Sequence, residues 1–192
     1  MTGIIILAAG SSSRLGQPKQ NLVFKGKTLL QRAIETAVAS VCEPVIVILG
    51  GNAGVIEPTI KNYDVNILHN PDWAEGMSSS IRAGINALLS IKPDVQSVIL
   101  MLCDQPFADT YLLNHLVMAN GKQGITVCAY NNTIGPPVLF DAVYFKELLM
   151  LKGAEGAKKV IHKYPDKVGE ILFPHGSIDI DTIEDFEKLN QQ

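Results

Sequence analysis

Near its amino terminus the chain contains the segment Gly3-Ile4-Ile5-Ile6-Leu7-Ala8-Ala9-Gly10-Ser11-Ser12-Ser13-Arg14-Leu15-Gly16-Gln17-Pro18-Lys19. The apolar run at its start is continuous rather than alternating, which predicts a β-strand buried on both faces. The small residues after the run let backbone N–H groups approach an anion closely, and Arg14 and Lys19 add positive charge. We therefore expect a buried strand followed by a loop that binds the phosphates of a nucleotide.

The spacing of this loop excludes the two common phosphate-binding motifs. Gly16 is followed by Gln17 and Pro18, whereas a Walker loop needs Lys and then Ser or Thr after its second glycine. A dinucleotide fingerprint needs three glycines at set positions, and only Gly10 and Gly16 are present. A Gly/Ser turn without a ligand is the alternative, but two cations at fixed places behind a strand favour a nucleotide site.

Similar apolar runs alternate with segments of helical period along the chain. The runs predict strands at residues 3–8, 45–49, 65–68, 97–102, 125–129 and 168–173. The periodic segments predict helices at residues 28–41, 81–89, 111–120, 153–164 and 183–189, with Thr28, Asp109 and Thr182 at or near three of their starts. This order predicts a doubly wound α/β fold around a mostly parallel sheet. Residues 131–140, which contain Gly-Pro-Pro, predict an excursion from the sheet, as an antiparallel pair that crosses over the site.

Length and composition predict one domain that spans residues 1–192, because 47% of the residues are hydrophobic and no repeat or linker divides the chain. With 16 basic and 19 acidic residues interspersed, no cationic surface indicates nucleic-acid binding. The apolar run at residues 4–9 is far shorter than the roughly 20 residues of a membrane span, which predicts a cytoplasmic protein without a membrane segment. The four histidines show no metal-ligand spacing. The cysteines, which lie in apolar stretches, predict buried thiols: Cys42, Cys103 and Cys128.

An acidic residue, Asp104, follows the predicted strand at residues 97–102 almost directly. In doubly wound sheets ligands bind beyond the carboxyl ends of the strands, so we expect the first loop, the Gly50-Gly51 turn and Asp104 at one edge. Mg²⁺ is usually held by one or two carboxylates together with substrate phosphates. Asp104 is therefore a candidate Mg²⁺ ligand and Gly50 a candidate nucleotide contact, and the alternative for Asp104 is an acidic residue that opens the turn into Pro106.

Residues 76–80 place three serines directly before a predicted helix. A serine-rich first turn exposes N–H donors and hydroxyls, which makes Ser78 and Ser80 candidate nucleotide contacts. Ordinary N-capping by Ser78 or Ser79 is the alternative. The only tryptophan, Trp73, either stacks on the ring of a ligand or packs within the protein.

Taken in order, several segments resemble the MobA-like nucleotidyltransferases, and in particular their molybdenum cofactor cytidylyltransferase branch. Residues 7–19 are similar to the signature LAAGxSxRxGxxK, and the other segments are Gly76-Met77-Ser78-Ser79-Ser80-Ile81, Cys103-Asp104-Gln105-Pro106, Gly135-Pro136-Pro137-Val138-Leu139-Phe140 and Asp179-Ile180-Asp181-Thr182-Ile183-Glu184-Asp185. The resemblance implies a Rossmann-like nucleotidyltransferase fold of the GT-A type. It also implies that Asp181 joins Asp104 at the Mg²⁺ ion.

The reaction that the resemblance implies is transfer of CMP from CTP to the phosphate of molybdopterin carrying molybdenum, with release of pyrophosphate. The nucleotide contacts would come from Leu7, Ala8, Ala9 and Gly10, since Leu-Ala-Ala-Gly is typical of the cytidylyl branch and Leu-Ala-Gly-Gly of the guanylyl branch. Because an acceptor phosphate is already largely ionised at neutral pH, no general base is needed. Arg14, Lys19 and Asp104 would be the catalytic residues, and a client molybdoenzyme would receive the product.

Two positions depart from the family's pattern. Leu15 stands where the cytidylyl branch commonly has Phe, and Pro136 stands where relatives often have His. If that His contacts the pterin, this protein uses another acceptor, and the sequence leaves open whether Trp73 or residues 135–137 contact it. A guanylyltransferase of the same cofactor, a sugar- or alditol-phosphate nucleotidyltransferase and a non-catalytic cofactor carrier are the alternative functions.

Overall fold

The computed structural model describes residues 1–12, 15–121, 123–180 and 182–190. Its strands are β1 (Thr2–Ala8), β2 (Val23–Phe24), β3 (Lys27–Thr28), β4 (Val45–Leu49), β5 (Asn66–His69), β6 (Ser97–Leu102), β7 (Ile125–Tyr130), β8 (Thr133–Asp141) and β9 (Val168–Leu172). Its α-helices are α1 (Leu29–Val38), α2 (Ala53–Ile60), α3 (Met77–Ile91), α4 (Thr110–Ala119), α5 (Phe145–Leu149), α6 (Lys158–Lys163) and α7 (Ile183–Asn190). The strands predicted from apolar runs are all present, each within one residue of its predicted bounds.

The main sheet has seven strands in the order β5-β4-β1-β6-β8-β7-β9. β1 lies between β4 and β6 and is parallel to both, and β5 and β9 add parallel pairs at the two edges. β8 runs antiparallel to its neighbours β6 and β7, and β2 and β3 form a separate hairpin. The prediction of a mostly parallel sheet is confirmed.

The prediction that residues 131–140 leave the sheet is wrong. These residues do form an antiparallel pair with β7, through a turn in which Asn131 and Asn132 both have positive φ, as a two-residue hairpin requires. However, β8 is inserted between β6 and β7, where Phe140 is opposite both Val98 and Ile125. The physical reason is burial: Leu139 and Phe140 are fully buried, and only a central strand covers both faces of such a run.

Helices cover both faces of the sheet, as the prediction of a doubly wound fold requires. Along β1 the side chains alternate, so that Ile4 and Ile6 pack beneath α1, α2 and α4, whereas Ile5 packs beneath α3, α5 and α6. Among the described residues, none of the helices combines the length and the apolar character that a membrane crossing demands. The sheet with its two helical layers leaves the carboxyl ends of the parallel strands accessible at one edge.

The predicted caps are present. Thr28 and Gln31 form a reciprocal capping box at α1, and Asp109 accepts a hydrogen bond of 2.7 Å from the Leu112 N–H at α4. At α7 the Asp185 N–H donates to Thr182 Oγ1 while Asp185 Oδ2 accepts from the Thr182 N–H. Two helices, α2 and α5, were not predicted, and α6 begins at Lys158 rather than at 153 because residues 151–157 form a loop.

A small third apolar cluster brings the carboxyl-terminal segment back to the first loop. It joins Leu15 and Leu22 to Leu29 at the start of α1 and to Ile180 and Leu189 near the end of the described chain. This cluster explains how residues far apart in sequence meet at one edge of the sheet.

Candidate active site

A cavity of about 380 Å³ opens at the edge of the sheet where β1 and β6 end. It is lined by the first loop, the start of α3 and the turn after β6, through Leu7, Ala9, Gly10, Ser11, Lys19, Gln20, Trp73, Ala74, Gly76, Met77, Ser80, Leu102, Cys103 and Asp104. We refer to it as the nucleotide cavity. Six residues that the sequence predicted for the site therefore lie together: Leu7, Ala9, Gly10, Lys19, Ser80 and Asp104.

Three other predicted residues lie behind the walls of the nucleotide cavity. The Ala8 side chain packs in the apolar core beneath α1. Gly50 supports the wall, because a Cβ at this position would collide with the Ala9 carbonyl and lie 2.9 Å from Trp73 Cβ. The Ser78 hydroxyl donates a hydrogen bond of 2.7 Å to the Gly153 carbonyl instead of capping α3. The remaining two, Arg14 and Asp181, lie outside the described residues.

At the centre of the site the Lys19 ammonium forms an ion pair with Asp104 Oδ2. Both groups are largely buried, since their side chains are 18% and 9% exposed. The second carboxylate oxygen, Asp104 Oδ1, is buried without a hydrogen-bond partner among the described atoms. A buried, unpartnered oxygen beside a cation indicates a place that is completed by a ligand.

The donor set fits Mg²⁺ bound together with a nucleotide. Mg²⁺ prefers oxygen ligands and accepts one or two carboxylates when substrate phosphates supply the rest. In the described part of the chain no group of three His, Cys, Asp or Glu side chains could hold a metal without such help. The Ile180 N–H donates a hydrogen bond of 3.2 Å to the Asp104 carbonyl, so the segment that precedes Asp181 in sequence is attached to the turn that carries Asp104.

Sequence reasoning missed Gln20, which shapes the first loop. Its side chain is 1% exposed, and its amide nitrogen donates to the carbonyls of Ala8 at 2.8 Å and Gly10 at 3.0 Å. Its amide oxygen accepts from the Ser12 hydroxyl at 3.3 Å, and that hydroxyl oxygen accepts from the Lys19 N–H. Because these bonds occupy loop carbonyls, Gln20 holds the loop backbone in one conformation. A glutamine beside a lysine carries no local signal of this role.

Gln105 plays a similar part on the other side of the site and was also missed. Its amide nitrogen donates to the Pro136 and Gly176 carbonyls, each at 3.0 Å. The bonds join the turn after β6 to β8 and to the carboxyl-terminal segment. Only the tertiary structure brings these three segments together, so the sequence contains no pattern that predicts the contact.

A second cavity of about 320 Å³ adjoins the first one. The two share Leu7, Met77 and Leu102, and the second is otherwise lined by Ile81, Leu100, Gly135, Pro136, Val138, Ala154, Gly156, Ala157, Lys158 and Ile161. We refer to it as the apolar cavity. Pro136 lines this cavity, whereas Trp73 lines the nucleotide cavity, where its ring also lies against Gly51.

The cysteines are buried and free, as predicted. Burial raises the pKa of Cys103 and of Cys128 to about 12. Thiols with such pKa values are protonated at neutral pH and do not act as nucleophiles or metal ligands. Cys103 lines the nucleotide cavity as an apolar side chain.

Comparisons with known proteins agree with this site. Residues 4–168 match the family model of the MobA-like NTP transferase domain. The chain is 30% identical over 200 residues to nicotine blue oxidoreductase of Paenarthrobacter nicotinovorans, which covers 98% of this chain and 96% of that protein. It is 26% identical over 183 residues to molybdenum cofactor cytidylyltransferase of Escherichia coli K12, covering 95% and 92%.

Solved structures show the same fold. The Rv0371c protein of Mycobacterium tuberculosis H37Rv in complex with manganese has a TM-score of 0.82 and 28% identity, with 100% of this chain and 98% of that chain covered. The predicted fold class and the predicted family resemblance are therefore confirmed. The chain belongs to the MobA-like NTP transferase domain family and is a nucleotidyltransferase of that family.

Proposed function

We propose that this protein transfers CMP from CTP to the phosphate of molybdopterin carrying molybdenum, with release of pyrophosphate. The observation that carries the proposal is the Lys19–Asp104 pair, whose free carboxylate oxygen is buried on the wall of the nucleotide cavity. The relative named molybdenum cofactor cytidylyltransferase, at 26% identity, supports the choice of acceptor and nucleotide. The product would be the cytosine dinucleotide form of the cofactor, which a client molybdoenzyme would receive.

In this reaction an oxygen of the acceptor phosphate bonds to the α-phosphorus of CTP. The bond from that phosphorus to the bridging oxygen breaks, and pyrophosphate leaves with the electron pair. The acceptor phosphate enters largely as its dianion, so the protein removes no proton from it. This is consistent with the described lining of the nucleotide cavity, which includes no histidine.

The chain's own residues bind and orient the reactants. Asp104 and Asp181 would hold Mg²⁺, which supplies neutralisation of phosphate charge when bound. Arg14 and Lys19 would bind the triphosphate, while the loop held by Gln20 offers its N–H groups to the phosphate oxygens. Such alignment and charge neutralisation account for most of the catalysis that phosphoryl chemistry needs.

The nucleotide base would lie against Leu7, Ala8, Ala9 and Gly10, with Gly50 supporting Ala9 from behind. A pocket walled by alanine methyl groups favours the smaller pyrimidine, although a difference of this kind contributes only ~1–3 kcal/mol to selectivity. Ser80 would contact the nucleotide from the start of α3, and Ser78 would act through the loop that its hydroxyl binds. We also propose that residues 1–192 act as one cytoplasmic catalytic domain without a nucleic-acid or membrane partner.

The test is incubation of the protein with Mg²⁺, molybdopterin carrying molybdenum and each nucleoside triphosphate in turn, followed by identification of the product. We expect pyrophosphate release and the cytosine dinucleotide with CTP, and a lower kcat/KM with GTP. A preference for GTP would indicate a guanylyltransferase of the same cofactor. Transfer to sugar or alditol phosphates alone would contradict the acceptor, and pterin binding without pyrophosphate release would indicate a carrier.

A further inference from the structure

The apolar cavity next to the nucleotide cavity has no role in nucleotide binding as described above. Resting on the proposed nucleotidyl transfer, we propose that it binds the ring body of the acceptor through apolar contacts. We further propose that it selects against acceptors whose ring carries hydroxyl groups, such as sugar and alditol phosphates. The acceptor is thus a phosphate ester with an apolar-faced ring next to its phosphate.

The first support is the chemistry of the lining. Ile81 on α3, Val138 on β8 and Ile161 on α6 are at most 3% exposed and form the inner surface. Among the described lining residues, Lys158 has the only charged side chain, and it is exposed. A hydroxyl in such a cavity loses its hydrogen bonds to water and finds no side-chain partner in return.

The second support is the contrast with the nucleotide cavity. The polar side chains of the edge lie on the nucleotide side, namely Ser11, Lys19, Gln20, Ser80 and Asp104. The two cavities meet at Leu7, Met77 and Leu102, and Leu102 lies two residues before Asp104. An acceptor phosphate at this border can approach the α-phosphate while its ring extends into the apolar cavity.

The third support is that the outer wall of the apolar cavity, residues 151–157, is held in place. The Arg82 guanidinium donates to the Leu151 carbonyl at 2.8 Å and forms an ion pair of 2.6 Å with Glu75. The Ser78 hydroxyl donates to the Gly153 carbonyl at 2.7 Å. The close approach also requires Gly76, where a Cβ would lie 2.5 Å from the Gly153 oxygen. The cavity is therefore a preformed site.

The size of the cavity also argues for a ligand. Protein interiors contain few voids larger than a water molecule, whereas small-molecule pockets begin at about 300 Å³. At about 320 Å³ the apolar cavity is well above a packing defect. Pro136, at the position where relatives often have His, contributes no hydrogen-bond donor to the lining.

The test compares cyclohexyl phosphate with myo-inositol 1-phosphate, which have the same ring without and with hydroxyls. Binding to the full chain is measured calorimetrically in the presence of Mg²⁺ and a non-hydrolysable CTP analogue. We expect cyclohexyl phosphate to bind on the order of 100-fold more tightly, the discrimination that an apolar pocket achieves against an added hydroxyl. Equal binding, or tighter binding of the inositol phosphate, would overturn the proposal.

Two variants locate the binding. Ala154→Trp and Ala157→Phe place bulky side chains in the apolar cavity from its loop wall, and Ala39→Trp at the exposed end of α1 is the matched control. We expect either filling variant to weaken cyclohexyl phosphate binding at least tenfold, with unchanged CTP affinity. If both variants fold, as judged by thermal unfolding, and bind the probe like the control, the proposal is wrong.

The same measurements separate this inference from the proposed function. If CTP binds but no acceptor releases pyrophosphate, nucleotidyl transfer fails, while the probe comparison still reports on the apolar cavity. If pyrophosphate is released with molybdopterin and both filling variants are as active as the control, the function stands and the inference fails.

Discussion

At the scale of single residues, the ion pair between Lys19 and Asp104 couples stability to function. Lys19→Ala removes the cation beside a carboxylate whose residue is only 6% exposed. We expect a loss of about 1–3 kcal/mol in the free energy of unfolding, because Asp104 is left buried without its cation. We also expect at least tenfold weaker CTP binding, because a point charge toward the triphosphate is lost. Denaturant unfolding and calorimetric titration with CTP measure the two effects.

Lys61→Ala, at the exposed end of α2, is the control and should change neither quantity. The double variant Lys19→Ala/Asp104→Asn should recover stability but not CTP affinity, since it removes the uncompensated charge as well. CTP affinity that is unchanged in Lys19→Ala would contradict the assignment of the loop.

Asp104 and Asp181 should act as one unit on Mg²⁺. We expect Asp104→Asn and Asp181→Asn each to lose most of the activity, and the double variant to be little worse than the more damaged single variant. The measurement is a double-mutant cycle on turnover at saturating Mg²⁺, with exposed Asp166→Asn as the control. Fully multiplicative losses would show that the two carboxylates serve different sites.

Gln20 should act by positioning the first loop. Gln20→Leu keeps the approximate volume but removes the hydrogen bonds to the Ala8 and Gly10 carbonyls. We expect KM for CTP to rise at least tenfold, because the loop N–H groups no longer have a fixed arrangement, and Gln20→Glu to do no better. Gln96→Leu, an exposed glutamine, is the matched control. A KM equal to that of the control would exclude this role.

At the scale of elements, the loop at residues 151–157 depends on the start of α3. Arg82 holds the pKa of the Glu75 carboxyl below its ordinary range, and the Gly153 N–H acts in the same direction. A carboxyl with a lowered folded pKa adds stability above its unfolded pKa of about 4.3, and this is lost as the pH falls through the folded value. We therefore expect Glu75→Gln to lower the Tm at pH 7 and to match the unsubstituted protein near pH 2.

Thermal unfolding from pH 7 to pH 2 measures this difference. Glu187→Gln, at an exposed position of α7, is the control. A Tm gap for Glu75→Gln that stays constant over the whole range would show that the effect comes from packing and not from the carboxylate.

At the scale of the whole molecule, the insertion of β8 joins the two halves of the sheet. Phe140 is fully buried and lies opposite residues of both β6 and β7. Phe140→Ala should therefore lower the free energy of unfolding by about 3–5 kcal/mol, the cost of a large cavity in a core. Val143→Ala, 78% exposed just after β8, should change it by less than about 0.5 kcal/mol. Denaturant unfolding measures both, and similar losses would contradict a central position for β8.

Much of the site was predictable because its charged residues follow strands whose apolar runs are continuous. Lys19 and Asp104 were predicted to meet, since the carboxyl ends of parallel strands share an edge. Gln20 and Gln105 were not predicted. A buried amide acts through the carbonyls that it reaches, and those carbonyls belong to segments as distant as Gly176.

The sequence by itself determined the strands, the caps, the family and the cations of the first loop, because each depends on residues close together along the chain. Only the tertiary structure decided the place of β8, the retreat of Ser78 from the nucleotide cavity and the apolar lining beside it. These features depend on which distant segments pack together, and burial of Phe140 or of the Ser78 hydroxyl is a property of that packing. Local patterns carry hydrophobicity and hydrogen-bonding capacity, whereas the choice of partner is made by the folded core.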